Sequence, residues 1–364
     1  MATQRWALVT GATGLIGREV LARLLAADSR ARAFVLVRNI DAWSRAARGL
    51  TGDGRVLPVI GDLRADGLGL TPNARSAICR HVTSIVHLAA DTTFSNPLGR
   101  ARAVNTEGTR RIVELAHDCA SPAHVAYVST AFVAGRRTGT IAEELTTSND
   151  GWVNAYEQSK HEAEQLVVAH APSWVILRSS TIVCDDPGGR VTQVNAIHRA
   201  LRLYRRGLVA MMPSAPGSAV DVVTTDFVAG AIARLALRED AVGRVVHLCA
   251  GRNALPLDEL LDITYECWAA DPEWRRRHIE RPALTDLTTY SLFERTVEQV
   301  GDPSLQRLTR ALSHFVPQLA LPKLFATTNA EVLLGEAAPP VRELWRPMLD
   351  SLLSRSGDLL ERAA

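Results

Sequence analysis

Short apolar runs alternate with segments whose apolar residues recur at helical spacing through the first half of the chain. Trp6-Ala7-Leu8-Val9 predicts a buried strand, and Glu19-Val20-Leu21-Ala22-Arg23-Leu24-Leu25 predicts the helix after it. Further strands are expected at 33–37, 56–60, 84–88, 123–128 and 174–178, with helical periodicity over 102–119 and 155–170. Strands and helices of this length, in alternation, predict an α/β fold built on a doubly wound parallel sheet.

The pattern loosens after about residue 180. Asp185-Asp186-Pro187-Gly188-Gly189 is a turn-rich break, and a helix studded with arginines follows it. A second loop covers 212–218, and the runs at 219–223 and 245–249 read as strands returning to the sheet. Beyond Leu257 the chain is mostly helical, punctuated by prolines. This divides the chain into a nucleotide-binding domain at 1–180 and a smaller, mostly helical substrate lobe at 181–364, with 219–250 rejoining the sheet.

The joint between the first strand and first helix carries the strongest chemical signal. Thr10-Gly11-Ala12-Thr13-Gly14-Leu15-Ile16-Gly17 sets three glycines in G-x-x-G-x-x-G spacing between a strand and a helix. Gly11 permits the tight turn, Gly14 lets backbone approach phosphate, and Gly17 lets the helix pack closely on the strand. The helix N-terminal N–H groups then face an anion, the arrangement of a dinucleotide pyrophosphate site in a Rossmann-like sheet.

Composition narrows the partners. A formal net charge of +2 gives no electrostatic case for nucleic acid, and 47% hydrophobic residues is ordinary globular usage. Five cysteines, at 79, 119, 184, 249 and 267, form no CxxC pair and no zinc spacing, which suits a reducing cytosol. His161-Glu162-Ala163-Glu164-Gln165 begins like a zinc-protease motif, but Gln165 replaces the second ligand, so no metal is expected. A strand starting near Trp6 leaves no room for a signal peptide, and no apolar run is long enough to span a bilayer. A cytoplasmic protein is expected.

Tyr156 and Lys160 stand four residues apart, on one face of the helix 155–170. A nearby ammonium lowers a phenol's pKa, which predicts a tyrosine able to exchange a proton with a carbonyl oxygen. Ser129-Thr130 closes the strand at 123–128, at the carboxyl edge where such sheets bind ligands. The second strand ends at Arg38, where a site preferring NAD usually carries an acid. A guanidinium there suits a ribose 2′-phosphate, so NADPH and reduction are expected, with Arg45 and Arg48 as possible assistants and Asp41 opposing them.

Taken together, TGATGLIG at 10–17, GDL at 61–63, HLAA at 87–90, VNTEGT around Asn105, YVST at 127–130 and YEQSK at 156–160 resemble the extended short-chain dehydrogenase/reductase superfamily. The likeness covers about the first 250 residues. It implies Tyr156 as acid/base, Lys160 as its partner and a ribose ligand, Thr130 as the hydroxyl of the triad, and Asn105 in support of a proton relay. It also implies a cofactor site made by Thr10, Gly11, Thr13, Gly14, Leu15, Ile16, Gly17, Arg38, Asp62, Leu63, Leu88, Ala89 and Ala90, with Tyr156 and Lys160.

Within the superfamily, YVSTAFVAG (127–135), ILRSSTIVCDD (176–186) and the tail at 321–349 resemble the thioester reductase and fatty acyl-CoA reductase branch. Arg178-Ser179 and Cys184 depart from that branch's Arg-Pro and glycine. The branch implies an acyl thioester on coenzyme A or a carrier protein, reduced to an aldehyde and on to an alcohol if a second hydride follows. The alternative is a ketoreductase, epimerase or dehydratase on a sugar nucleotide, sterol or small carbonyl compound. The arginines at 199, 202, 205, 206 and 275–277 read first as a solvated helix face and second as contacts for coenzyme A or an acidic carrier. Trp268 and Trp274 read first as packing and second as an acyl tunnel lining. No feature sets the oligomeric state.

Overall fold

Seven parallel strands form the central sheet, in the spatial order Val245–Leu248, Ser173–Ser179, His124–Thr130, Val82–His87, Arg5–Thr10, Ala31–Val37, Val56–Ile60. The computed structural model describes residues 5–354 apart from 48, 51–53, 147–149 and, within 302–315, all but 306, 309 and 313. Parallel strands covered on both faces must be apolar on both sides, which explains continuous runs in place of alternating ones. Ala7 and Val9 turn into one core, with Val20 and Leu24 of the helix Leu15–Ala27 and Val228 and Ile232 of Thr225–Leu235. Trp6 and Leu8 turn into the other, with Ile112 of Glu107–Asp118 and Ala163 and Val167 of Ala155–His170.

The expected doubly wound sheet is therefore present, and the departures have local causes. The helix expected over 102–119 is two helices, Leu98–Asn105 and Glu107–Asp118, jointed at Thr106. At that joint the Asn105 amide turns away to Asp91 and Ser159, and the Thr106 hydroxyl donates to the Ser159 carbonyl oxygen at 3.1 Å. Of the strands expected between 219 and 250, only Val245–Leu248 joins the seven-stranded sheet. Ala219–Val220 pairs with Leu255–Pro256 and Val222–Thr224 with Thr181–Cys184. The intervening Asp221 accepts the Ala250 and Gly251 N–H groups, both at 2.8 Å, and so holds this crossing against the end of the sheet.

The C-terminal lobe has its own core, in which Trp268, Trp274 and Trp345 pack with Leu201, Tyr204 and Leu261. Trp268 and Trp274 meet edge-on at 5.9 Å between ring centres, and both are packing residues. Besides the helices Leu257–Ala269, Leu287–Val300, Thr328–Leu334 and Val341–Ser354, the lobe sends out two short strands. Ala283–Thr285 pairs with Met211–Pro213, and Lys323–Phe325 with Gly139–Ile141 beside the sheet's carboxyl edge. Among the described residues no helix is long and apolar enough to cross a membrane.

Two fully buried histidines make the fold sensitive to acid. Burial holds His87 and His247 down to about 3, from an ordinary 6.5. Below 6.5 the unfolded chain takes up these protons and the folded chain does not, so stability falls as pH drops from 6.5 towards 3. Each residue contributes up to about 5 kcal/mol of that loss. The urea midpoint is expected to decline steadily across this window, and a flat midpoint from neutrality to pH 4 would contradict it.

Candidate active site

The sheet's order reverses between Arg5–Thr10 and Val82–His87, and a cavity of about 1630 Å³ opens over the carboxyl ends of the strands there. Crossovers diverge to opposite faces at such a point, leaving a crevice that no helix covers. Thr10, Gly11, Thr13, Gly14, Leu15, Ile16, Gly17, Arg38, Asp62, Leu63, Leu88, Ala89, Ala90, Thr130, Tyr156 and Lys160 all line this one cavity.

The glycine turn is sterically committed. Gly11 adopts φ +74°, and a Cβ there would stand 2.7 Å from the Ala89 nitrogen; a Cβ on Gly17 would stand 2.3 Å from the Gly11 carbonyl oxygen. Gly17 thus packs on the backbone of the turn itself, at Gly11 and Ala12, rather than on the strand as expected. No side chain caps the helix Leu15–Ala27, so its first N–H groups remain for an anion in the cavity. This cradle fits the pyrophosphate of a dinucleotide.

A chain of polar groups beneath the turn holds its shape. The Thr109 hydroxyl donates to the Asn105 carbonyl at 2.6 Å, so its oxygen is left to accept from His87 Nε2 at 3.0 Å. The neutral ring then accepts at Nδ1 from the Thr10 hydroxyl at 2.7 Å, and Thr10 Oγ1 accepts the Ala89 N–H at 3.1 Å. His87 is a neutral brace between the first and fourth strands of the chain. Beside the turn, Arg64 pairs with Asp62 at 2.7 Å and holds its carboxyl down at about 2. Arg38 follows the strand Ala31–Val37 and is exposed in the cavity mouth. Arg45 and Asp41 are exposed and line no part of the cavity, while Arg48 lies outside the described residues.

At the other end of the cavity the helix Ala155–His170 presents Tyr156 and Lys160. Asn154 caps it by accepting the Glu157 N–H at 3.0 Å, which fixes the direction of its first turn. Tyr156 tilts against Phe94, ring centres 5.4 Å apart, and lies close to the Thr130 side chain. Lys160 donates to the Val128 carbonyl at 2.8 Å and sits 4.0 Å above the Tyr127 ring. The expectation of a lowered phenol pKa does not hold for the protein alone. Burial pushes Tyr156 up to about 12 against the lowering influence of the nearby Thr130 hydroxyl, and burial pulls Lys160 down to about 7. The phenol is therefore protonated throughout the neutral range, the form that donates.

Asn105 is buried behind the cavity wall. Its Oδ1 accepts the Asp91 N–H at 2.8 Å, and its Nδ2 donates to the Asp91 carbonyl and to Ser159 Oγ at 3.0 and 2.9 Å. Ser159 Oγ in turn donates to the Tyr156 carbonyl at 2.9 Å, so Asn105 ties the 91–96 loop to the helix Ala155–His170 rather than facing the cavity. Arg178 is fully buried, forking to Glu164 at 2.9 and 2.7 Å; Ser179 and Cys184 line the cavity, with burial raising the Cys184 thiol to about 12. Of the arginine clusters, Arg199 lines the cavity. Arg205 pairs with Asp271 at 3.1 Å, and Arg275 and Arg277 donate to backbone carbonyls.

Sequence reasoning missed a buried chain beside Tyr156. Glu157 accepts from Val153 N–H at 2.9 Å, Asn154 Nδ2 at 3.0 Å and Gln318 Nε2 at 2.7 Å. Lys323 donates to Gln318 Oε1 and, at 2.6 Å, to the carbonyl of Gly135, which ends the turn after Thr130. Glu157 and Gln318 both line the cavity. Burial raises the carboxyl to about 7 and lowers the Lys323 ammonium to about 8. Asn154-x-x-Glu157 has the spacing of a capping box, but nothing around 318–323 marked a partner for it.

Several known proteins are similar to this chain. The crystal structure of the terminal R domain from the myxalamid PKS-NRPS biosynthetic pathway superposes with a TM-score of 0.79 at 25% identity, covering 98% of this chain and 92% of that one. Aldehyde reductase lnaA of Aspergillus flavus is 27% identical over 288 residues, 70% of this chain and 27% of that protein. Fatty acyl-CoA reductase wat of Drosophila melanogaster is 28% identical over 219 residues, 55% of this chain and 42% of that protein. The chain thus spans less than half the length of either curated relative. The family model described as male sterility protein matches residues 9–232. The chain belongs to that NAD-binding family, the thioester reductase branch of the extended short-chain dehydrogenases/reductases.

Proposed function

We propose that this protein is an NADPH-dependent reductase of acyl thioesters, carried on coenzyme A or a carrier protein, that releases the aldehyde. The observation that carries the reading is one cavity lined by the glycine turn, Arg38, Thr130, Tyr156 and Lys160. The glycine turn holds the pyrophosphate, Arg38 faces the 2′-phosphate, and Lys160 reaches the ribose beside the nicotinamide. When bound, the cofactor supplies a hydride to the thioester carbonyl carbon. Thr130 and Tyr156 hold the carbonyl oxygen, and their hydrogen bonds strengthen as it becomes an oxyanion. Tyr156, protonated at working pH, is the proton source at that oxygen. Departure of the thiolate restores the carbonyl and returns the oxygen's proton to Tyr156, and a single proton from solvent completes the free thiol.

NADPH oxidation followed against acyl-CoA, acyl carrier protein and ketone panels tests the assignment. Turnover of thioesters with release of free thiol supports it; turnover of ketones alone would transfer the protein to the ketoreductases. Cofactor choice has its own test. Arg38→Asp is expected to raise the KM for NADPH about a hundredfold and leave that for NADH nearly unchanged, since a charged bidentate contact is replaced by repulsion. Tighter NADH than NADPH use by the wild type would remove Arg38 from this role.

A further inference from the structure

The chain contains two lysines, Lys160 and Lys323, and both are buried. Lys323 stands beside the Glu157 carboxyl, but no carboxylate forms an ion pair with Lys160 among the described residues. Glu164, one turn along the same helix, is already forked by Arg178 at 2.9 and 2.7 Å. Tyr156, one turn back, is protonated, and His87 on the strand Val82–His87 is kept neutral by burial. A buried ammonium with no counter-charge is driven towards its neutral form.

What Lys160 does have is the face of the Tyr127 ring, with Nζ 4.0 Å from the ring centre. Tyr127 lies in the strand His124–Thr130 and is 1% exposed; Lys160 is 2% exposed. An aromatic face carries the negative part of the ring's quadrupole, and its attraction for a cation is largest where water is excluded. His87 lies tilted to the ring at 5.7 Å between centres and, being neutral, does not compete for it as a cation would. The Tyr127 hydroxyl makes no hydrogen bond among the described residues, so the ring is what this side chain offers. The Val128 carbonyl takes one of the three ammonium donors, which leaves two for a ligand in the cavity that Lys160 lines.

We propose that Tyr127 is a positioning residue: the face of its ring takes the place of a counter-ion and keeps the Lys160 ammonium charged and fixed for the ribose. The inference rests on the reading of Lys160 as a ribose ligand and adds to it the group that holds that ligand in its charged form.

The test follows the titration of Lys160 without turnover. With lysine labelled by carbon-13 at Cε, the cofactor-free protein gives one signal for each of its two lysines, and Lys160→Met leaves only that of Lys323. The Lys160 midpoint is measured in wild type, Tyr127→Phe, Tyr127→Leu and a form with pentafluorophenylalanine in place of Tyr127, which keeps a ring there and reverses its quadrupole. Loss of the attractive face disfavours the charged form, so the midpoint is expected to fall by at least about one pH unit in the leucine and pentafluoro forms. In Tyr127→Phe, which keeps the face, it is expected to move by less than about 0.3 of a pH unit. The Kd for NADPH, read by fluorescence above the midpoint, is expected to rise about tenfold in the same two forms. The pentafluoro form carries the comparison if Tyr127→Leu does not fold. Equal midpoints in all the forms, or an equal fall in Tyr127→Phe and Tyr127→Leu, overturns the inference and leaves the ribose role of Lys160 standing wherever NADPH still binds. A wild type that binds no NADPH at any pH overturns that role and the proposed function, while the midpoints still decide whether the ring holds the ammonium.

Discussion

Tyr156→Phe is expected to lower kcat about a thousandfold while the protein still folds and binds NADPH. The substitution removes one oxygen, the proton source at the substrate carbonyl, from a ring whose packing against Phe94 is unaffected. General acid catalysis contributes on the order of a hundred- to ten-thousandfold, about 4 kcal/mol of barrier at the middle of that range. Titration of NADPH fluorescence and single-turnover kinetics separate the two effects. With Tyr156 raised to about 12 in the protein alone, no loss of donor is expected from its ionisation between pH 6 and 9. Full activity in the phenylalanine variant would end the proposed mechanism.

Lys323→Met is expected to destabilise the protein by about 3 kcal/mol and to lower kcat by tenfold or more. The ammonium is buried, and its loss strips a donor from both Gln318 and the Gly135 carbonyl, leaving Arg136 to stabilise the Glu157 carboxylate. The kinetic effect follows from position. Lys323 reaches the turn after Thr130, and through Gln318 it reaches the first turn of the Tyr156 helix, so it spans the two elements that must meet at one oxygen. Displacement of such groups by about an ångström lowers rates by about a hundredfold. The sign of the pH dependence is also set. Glu157 titrates near 7 when folded and near 4.5 when unfolded, so its protonated form favours the fold, and that contribution is lost as pH rises through 7. Removing Lys323 raises the carboxyl further, so the stability deficit of the variant grows on the alkaline side. Adding Glu157→Gln removes the stranded charge, and the double variant is expected to recover part of the loss. Denaturant melts of the single and double variants at pH 6 and 8 measure this, and strict additivity would show that the two groups are not coupled.

Legibility in the sequence followed the range of the interactions. Tyr156 and Lys160 share a helix, the glycine turn is a single strand-to-helix joint, and Thr130 ends a strand that adjoins a recognisable run. Each depends on residues within one turn or one strand, so short motifs, together with their resemblance to a known family, picked them out. The short strands at 219–224 look like members of the sheet because their composition is strand-like, yet pairing is a choice among partners distant in sequence. The hydrogen bonds of Asn105 could not be read from the sequence, because its amide is drawn to a loop and a helix that composition does not bring together.

By itself the sequence determined the order of strands and helices, the glycine turn that makes a cradle for a dinucleotide and the placing of Tyr156 and Lys160 on one helix, since these arise from backbone sterics and periodicity within short segments. Tertiary structure alone decided the rest. It brought Gln318 and Lys323 against Glu157, laid the Tyr127 ring against Lys160, and raised the Tyr156 pKa where the spacing to Lys160 had predicted a fall. Burial and long-range contact are properties of the folded solvent boundary, and no local pattern of residues contains them.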